Sequence, residues 1–130
     1  MKENICIKIK TTSGDEGLGN TMIGYQAGDN TEKGKQNTII GYQADTNASG
    51  NNGGIAIGTT ATTWTNCVSI GTTATTTTGA SSVAIGYLSS ATGTSSIAIG
   101  DQGVSSGTTS ISIGKYSDTA GTNSIAIGSN

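Results

Sequence analysis

Large apolar and very small residues alternate in a short block that returns along the chain at nearly constant spacing. The block is plainest at Ser96-Ile97-Ala98-Ile99-Gly100, Ser110-Ile111-Ser112-Ile113-Gly114 and Ser124-Ile125-Ala126-Ile127-Gly128. It recurs upstream at Ser82-Val83-Ala84-Ile85-Gly86, Cys67-Val68-Ser69-Ile70-Gly71 and Gly54-Ile55-Ala56-Ile57-Gly58. Two diverged copies, Asn37-Thr38-Ile39-Ile40-Gly41 and Asn20-Thr21-Met22-Ile23-Gly24, bring the total to eight. Measured between the closing glycines, the spacings are 17, 17, 13, 15, 14, 14 and 14 residues.

A period of two within the block is the signature of a β-strand, and an in-register repeat predicts a parallel stack of coils. After the closing glycines of the later coils, Gly86, Gly100 and Gly114, a second, weaker pattern follows: a small residue three positions on, another at five, and glycine at seven. Ser89, Ala91 and Gly93 carry it, as do Gly103, Ser105 and Gly107. It predicts a short return strand, so each coil holds two strands and two turns. Eight blocks at the usual strand spacing of about 4.8 Å make a rod on the order of 38 Å long.

The alternation separates two faces. The usual preference for large apolar residues inside assigns Ile55, Ile57, Val68, Ile70, Val83, Ile85, Ile97, Ile99, Ile111, Ile113, Ile125 and Ile127 to the roll core. Ala56, Ser69, Ala84, Ala98, Ser112 and Ala126 then form an outward face, flat enough for another copy to approach closely. A roll burying only about two large side chains per coil is marginal alone, and a cyclic homo-oligomer is expected.

Composition supports a fold of this kind over an ordinary globule. Apolar residues are only 32% of the 130, with no Phe or Pro, too few to fill a conventional core. Charged residues at 11%, for a net charge of -2, are also too few for a typical disordered chain. Eleven of the fourteen charges lie between Lys2 and Asp45, and none between Thr46 and Gly100. With no basic patch, nucleic-acid binding is not expected. No apolar run approaches the length of a membrane span, and the first ten residues lack the apolar stretch of a secretory signal.

The reiterated pattern Ser-Val/Ile-Ala-Ile-Gly, followed at fixed offsets by Ser, Ala and Gly, resembles the head repeat of trimeric autotransporter adhesins, the YadA-like family. Residues 82–100 match it almost position for position, 54–130 follow it with exceptions, and 20–53 match only through the marker blocks. The Gly-Tyr-Gln-Ala segments at 24–27 and 41–44 look more like repeats of phage and viral fibre proteins. The resemblance implies a left-handed parallel β-roll, three chains side by side, and adhesion at an extracellular cell-surface or virion fibre. The expected domain layout is an N-terminal strand and lead-in at 1–19, then a β-roll over 20–130. Ile5, Ile7 and Ile9 alternate with Cys6, Lys8 and Lys10 in that first strand, which is expected to cap its own roll or to pair with another subunit.

Candidate chemistry is sparse. There is no His, the carboxylates are scattered, and neither zinc nor calcium spacing is present, so no catalytic residue, metal or cofactor is expected. Cys67 occupies a position where other coils have Ser, which favours a buried thiol over a disulfide with Cys6. Tyr25, Tyr42 and Tyr87 each follow a closing glycine, and Trp64 lies in a Thr-rich loop. These four aromatics are the candidates for contact with a surface glycan or protein. Thr arrays at 59–63 and 72–76 raise ice binding as an outside alternative. The expected function is a non-enzymatic adhesive fibre module whose first partner is itself. The alternative is a purely structural subunit of a virion fibre or an end-to-end filament.

Overall fold

The computed structural model describes residues 7–10, 18–31, 33–77 and 81–130. Of the expected lead-in, residues 1–6 and 11–17, Ile5 and Cys6 among them, lie outside the described residues. Among the described residues the elements are fifteen strands: β1 (Ile7–Lys10), β2 (Asn20–Ile23), β3 (Thr38–Ile40), β4 (Asp45–Thr46), β5 (Ile55–Ile57), β6 (Thr62–Thr63), β7 (Val68–Ile70) and β8 (Thr75–Thr76). They continue with β9 (Val83–Ile85), β10 (Ser90–Ala91), β11 (Ile97–Ile99), β12 (Val104–Ser105), β13 (Ile111–Ile113), β14 (Asp118–Thr119) and β15 (Ile125–Ile127).

Each repeat block becomes one strand of a nine-stranded sheet, ordered β1-β2-β3-β5-β7-β9-β11-β13-β15. The short return strands form a second sheet, β14-β12-β10-β8-β6-β4. Pairing is parallel and in repeat register, with Ile97 opposite Val83 and Ile111, and Ala98 opposite Ala84 and Ser112. The eight blocks therefore bound seven complete coils of an all-β parallel solenoid. The exception to parallel pairing is β1, which lies antiparallel along β2 with Ile7 opposite Ile23 and Lys10 opposite Asn20. The N-terminal strand thus covers the first edge of its own roll.

The two faces of the long strands are inverted relative to the expectation from sequence. Ala56, Ser69, Ala84, Ala98 and Ser112 are fully buried inside the roll. Ile55, Ile57, Val68, Ile70, Val83, Ile85, Ile97, Ile99, Ile111 and Ile113 stand half-buried on the outside, and Ile125 and Ile127 are 65% and 74% exposed. Ala126 is on the inner side but only half-buried, at the last coil. Coil length is the physical reason. Sheets that interdigitate large side chains pack about 10 Å apart, and a coil of fourteen residues with two tight turns has no room for that separation.

Four columns of small side chains fill the interior of the regular coils. Besides the middle of each long strand, they come from the block's first residue (Cys67, Ser82, Ser96, Ser110) and from the third and fifth positions after the closing glycine (Ala74 and Thr76, Ser89 and Ala91). Half of this lining is hydroxylic, and burial of hydroxyls is tolerable only with partners. Ser82 and Ser96 both donate to the Gly93 carbonyl, at 2.8 and 2.7 Å. Ser105 and Ser110 bond each other at 2.6 Å, and Ser112 donates to the Ser117 carbonyl at 2.7 Å. Among the described residues no buried side-chain nitrogen or oxygen lacks a partner.

The two 17-residue coils are wider and filled differently. Met22 and Ile39 take the inward position that alanine and serine hold later, and both are buried. Asn20 and Asn37 form a buried amide ladder beside them: Asn37 donates from its backbone and side-chain nitrogens to Asn20 Oδ1, and its own Oδ1 accepts from Gly54 N at 2.8 Å.

The closing glycines are fixed by geometry. From Gly24 to Gly114 they hold φ between +132° and +140°, and a Cβ on any of them would lie 2.0–2.4 Å from the carbonyl oxygen of the next one in the column. Two residues later each turn puts a residue near φ +55° regardless of type, among them Thr60, Thr73 and Leu88. This left-handed conformation is costly for side chains other than Gly and Asn.

Candidate functional site

The outer surface has three parts: the face of the long strands, the face of the return strands, and two edges made of turns. On the first, the inversion described above lines up two columns of Ile and Val, continuous in register from β5 to β15. Such a face, long, flat and apolar, is the kind of surface that soluble chains cover with a partner. On the second, Thr62, Thr75, Ser90, Val104 and Asp118 follow one another, so that face is mainly hydroxylic.

The candidate aromatics do not converge. Tyr25 and Tyr42 stand on the edge that follows the closing glycines, stacked at 5.4 Å between ring centres with planes 12° apart. Tyr87 is exposed on the same edge three coils further on, and Trp64 sits half-buried on the opposite edge. Tyr116 is a further exposed aromatic on the first edge. Its hydroxyl accepts from Gln102 Nε2 at 3.3 Å, and Lys115 Nζ lies 5.0 Å from its ring centre and 3.5 Å from Asp101. Sequence reasoning passed over Tyr116 because it occupies the second position after its glycine. The signal was the equivalent position of Leu88 and Gln102, which belong to the same turn.

Beside the Tyr25–Tyr42 stack, the amides of Gln26 and Gln43 bond at 3.0 Å, and a polar hollow opens next to them. The hollow, of 370 Å³, is lined by Gln26, Asp29, Asn30, Gln43, Asp45, Thr46, Asn47 and Thr62. Asp45 builds its floor. Its Oδ2 accepts from Asn30 N at 2.9 Å, and its Oδ1 accepts from Thr46 N at 2.7 Å and Thr31 Oγ1 at 3.2 Å. Burial nonetheless holds the Asp45 carboxyl above the usual aspartate range, with the neighbouring Asp29 charge adding to the effect.

Cys67 is buried, its thiol directed to the Thr65 carbonyl at 3.3 Å and approached by Ser82 N at 3.4 Å. Among the described residues no group of three or more His, Cys, Asp or Glu side chains could hold a metal ion, and no helix is long and apolar enough to cross a membrane.

An all-β parallel solenoid with fourteen-residue coils, a column of closing glycines and an outward Ile/Val face defines a narrow class of protein. Residues 78–102 and 105–130 match, as two copies, the family model described as the YadA head domain repeat. The crystal structure of the collagen-binding domain of the Yersinia adhesin YadA is similar to this chain, with 26% sequence identity and a TM-score of 0.57. That similarity covers 74% of this chain and 60% of the YadA domain, so the chain spans less than two thirds of that domain. No curated protein matches the chain in sequence. The repeats over residues 78–130 are thus similar to the YadA head repeat, on a fold like that of the YadA domain.

Proposed function

We propose that this chain is an adhesive fibre module, a homotrimer of β-rolls presented outside the cell and binding a protein surface such as collagen. The observation that carries the reading is the Ile/Val face. Two apolar columns over the six strands from β5 to β15, left at least half-exposed on one roll, are explained by two further copies packing against them. At about 25 cal/mol per Å² of apolar area removed from water, that packing supplies stability a core of alanine and serine lacks. The interface side is therefore opposite to the one expected from sequence: Ile97 and Ile99 meet the partner, and Ala98 does not. The kinship with a collagen-binding domain supports the choice of ligand.

Light scattering coupled to gel filtration tests the assembly. The expected mass is three times 12.8 kDa. The double variant Ile97→Asp, Ile99→Asp is expected to be monomeric, and to lose binding to immobilised collagen together with the trimer. A wild-type chain that stays monomeric at high concentration overturns the assembly, and a trimer that binds no collagen overturns the ligand.

A further inference from the structure

We infer that the polar groove on the two wide N-terminal coils is a binding site for an uncharged oligosaccharide. The inference rests on the adhesive reading above and gives it a second ligand class, at a place away from the Ile/Val face. The 370 Å³ hollow adjoins a second one of 350 Å³, and the two share Asp29, Asn30 and Asn47. Together they run from the Gln26–Gln43 pair on one edge of the roll to Ala48 and Ser49 at the far end.

The groove is made by the extra residues of the first wide coil. Gly28 N bonds the Ala44 carbonyl at 2.9 Å, and the Asn30–Thr31 segment is tied to Asp45 by the bonds already given, so the wall is fixed before a ligand arrives. Preorganisation of this kind lowers the ordering cost of binding. Asp45 spends its oxygens on these bonds, which leaves the Asp29 carboxylate and the amides of Asn30, Asn47, Gln26 and Gln43 exposed to solvent.

The chemistry of the lining selects the ligand. Carboxylates and carboxamides pair with the donor and acceptor hydroxyls of a sugar. Peptide partners are anchored by apolar side chains in pockets, and among the described residues the only apolar one along the groove is Ala48. Among the described residues no Lys or Arg lines it, and two aspartates do, so sulfated or sialylated glycans are repelled.

A glycan array followed by titration calorimetry on the full chain tests the site, using uncharged oligomers of galactose and of N-acetylglucosamine, with sialylated oligosaccharides as the comparison. Uncharged probes are expected to bind and sialylated ones not. The double variant Asp29→Ala, Asn47→Ala is expected to weaken binding at least tenfold, whereas Tyr87→Ala, outside the groove, leaves it unchanged. Both replaced side chains of the double variant are exposed, so a circular dichroism spectrum equal to wild type is expected. No binding to uncharged probes, or binding the double variant leaves within twofold, overturns the site. Collagen binding in the same preparation separates the two readings: retained, it means this inference alone has failed; lost as well, the adhesive reading fails with it.

Discussion

Replacing Gly100 with alanine isolates the contact that stacks one coil on the next. The added Cβ would lie 2.3 Å from the Gly114 carbonyl oxygen, and the residue would have to keep φ +136°. The backbone conformation alone costs about 1–3 kcal/mol for a side-chain-bearing residue. Opening the contact to an ordinary separation also stretches the Gly114 N to Ile99 O bond, now 2.8 Å, worth about 1 kcal/mol, and disturbs the coil beyond. With about 1 kcal/mol for overpacking at that contact, the sum is about 3–5 kcal/mol, or about 10–20 °C in Tm for a chain of this size. Gly128 supplies the control, because it has φ +137° but nothing within 4 Å of the added Cβ. Gly128→Ala should therefore show only the conformational part. Gly50, with open space and no positive φ, should tolerate alanine or gain about 0.5 kcal/mol. Urea unfolding followed by circular dichroism ranks the three. If Gly100→Ala falls within about 1 kcal/mol of Gly128→Ala, close packing of the glycine column is not what fixes the coil spacing.

Four further outcomes follow from the same geometry. Ala98→Ile should cost more than about 3 kcal/mol through overpacking, and Ile39→Ala about 2–5 kcal/mol through a cavity; if Ala98→Ile is silent in thermal melts, the small residues are not inside. Leu88→Asn should raise stability by about 0.5–1 kcal/mol, since Asn accepts the left-handed conformation that Leu88 holds at φ +53°, and unchanged urea midpoints would count against strain there. The folded Asp45 carboxyl binds its proton more tightly than the unfolded one, so its contribution is full below the ordinary aspartate value and is lost as pH rises through the raised folded value. Relative to Asp45→Asn, the wild-type chain should therefore gain stability as pH falls from 7 towards 4, which melts across that range can check.

The strand pattern, the parallel register and the return strand could all be read from the blocks, because period-two alternation and recurring glycines are local signals. Which face points inward was not local. Alternation at Ile97-Ala98-Ile99 names two faces but not their sides, and the preference for large residues inside gave the wrong one. The deciding quantity is the cross-section of the coil, set by turns and coil length together. A clue was present in residues 20–57: the middle position holds Met22 and Ile39 in the 17-residue coils and Ala56 where shorter coils begin. A position whose volume follows coil length is an interior position. The Tyr25–Tyr42 pair was legible from the shared offset, whereas the groove beside it depends on how the extra residues of the first coil fold back onto Asp45, which no repeat pattern encodes.

Among the described residues from Gly54 onward the interior holds nothing larger than Thr or Cys, and from Gly86 onward the coils repeat at fourteen residues. Such a gene can change length in whole units: fourteen added residues lengthen the rod by about 4.8 Å and need no compensating change elsewhere. A single inserted residue within a strand has the opposite effect, since it would turn isoleucine inward and alanine outward in that coil. Duplication and deletion of complete repeats are thus the natural steps by which a ruler of this kind sets how far its tip reaches.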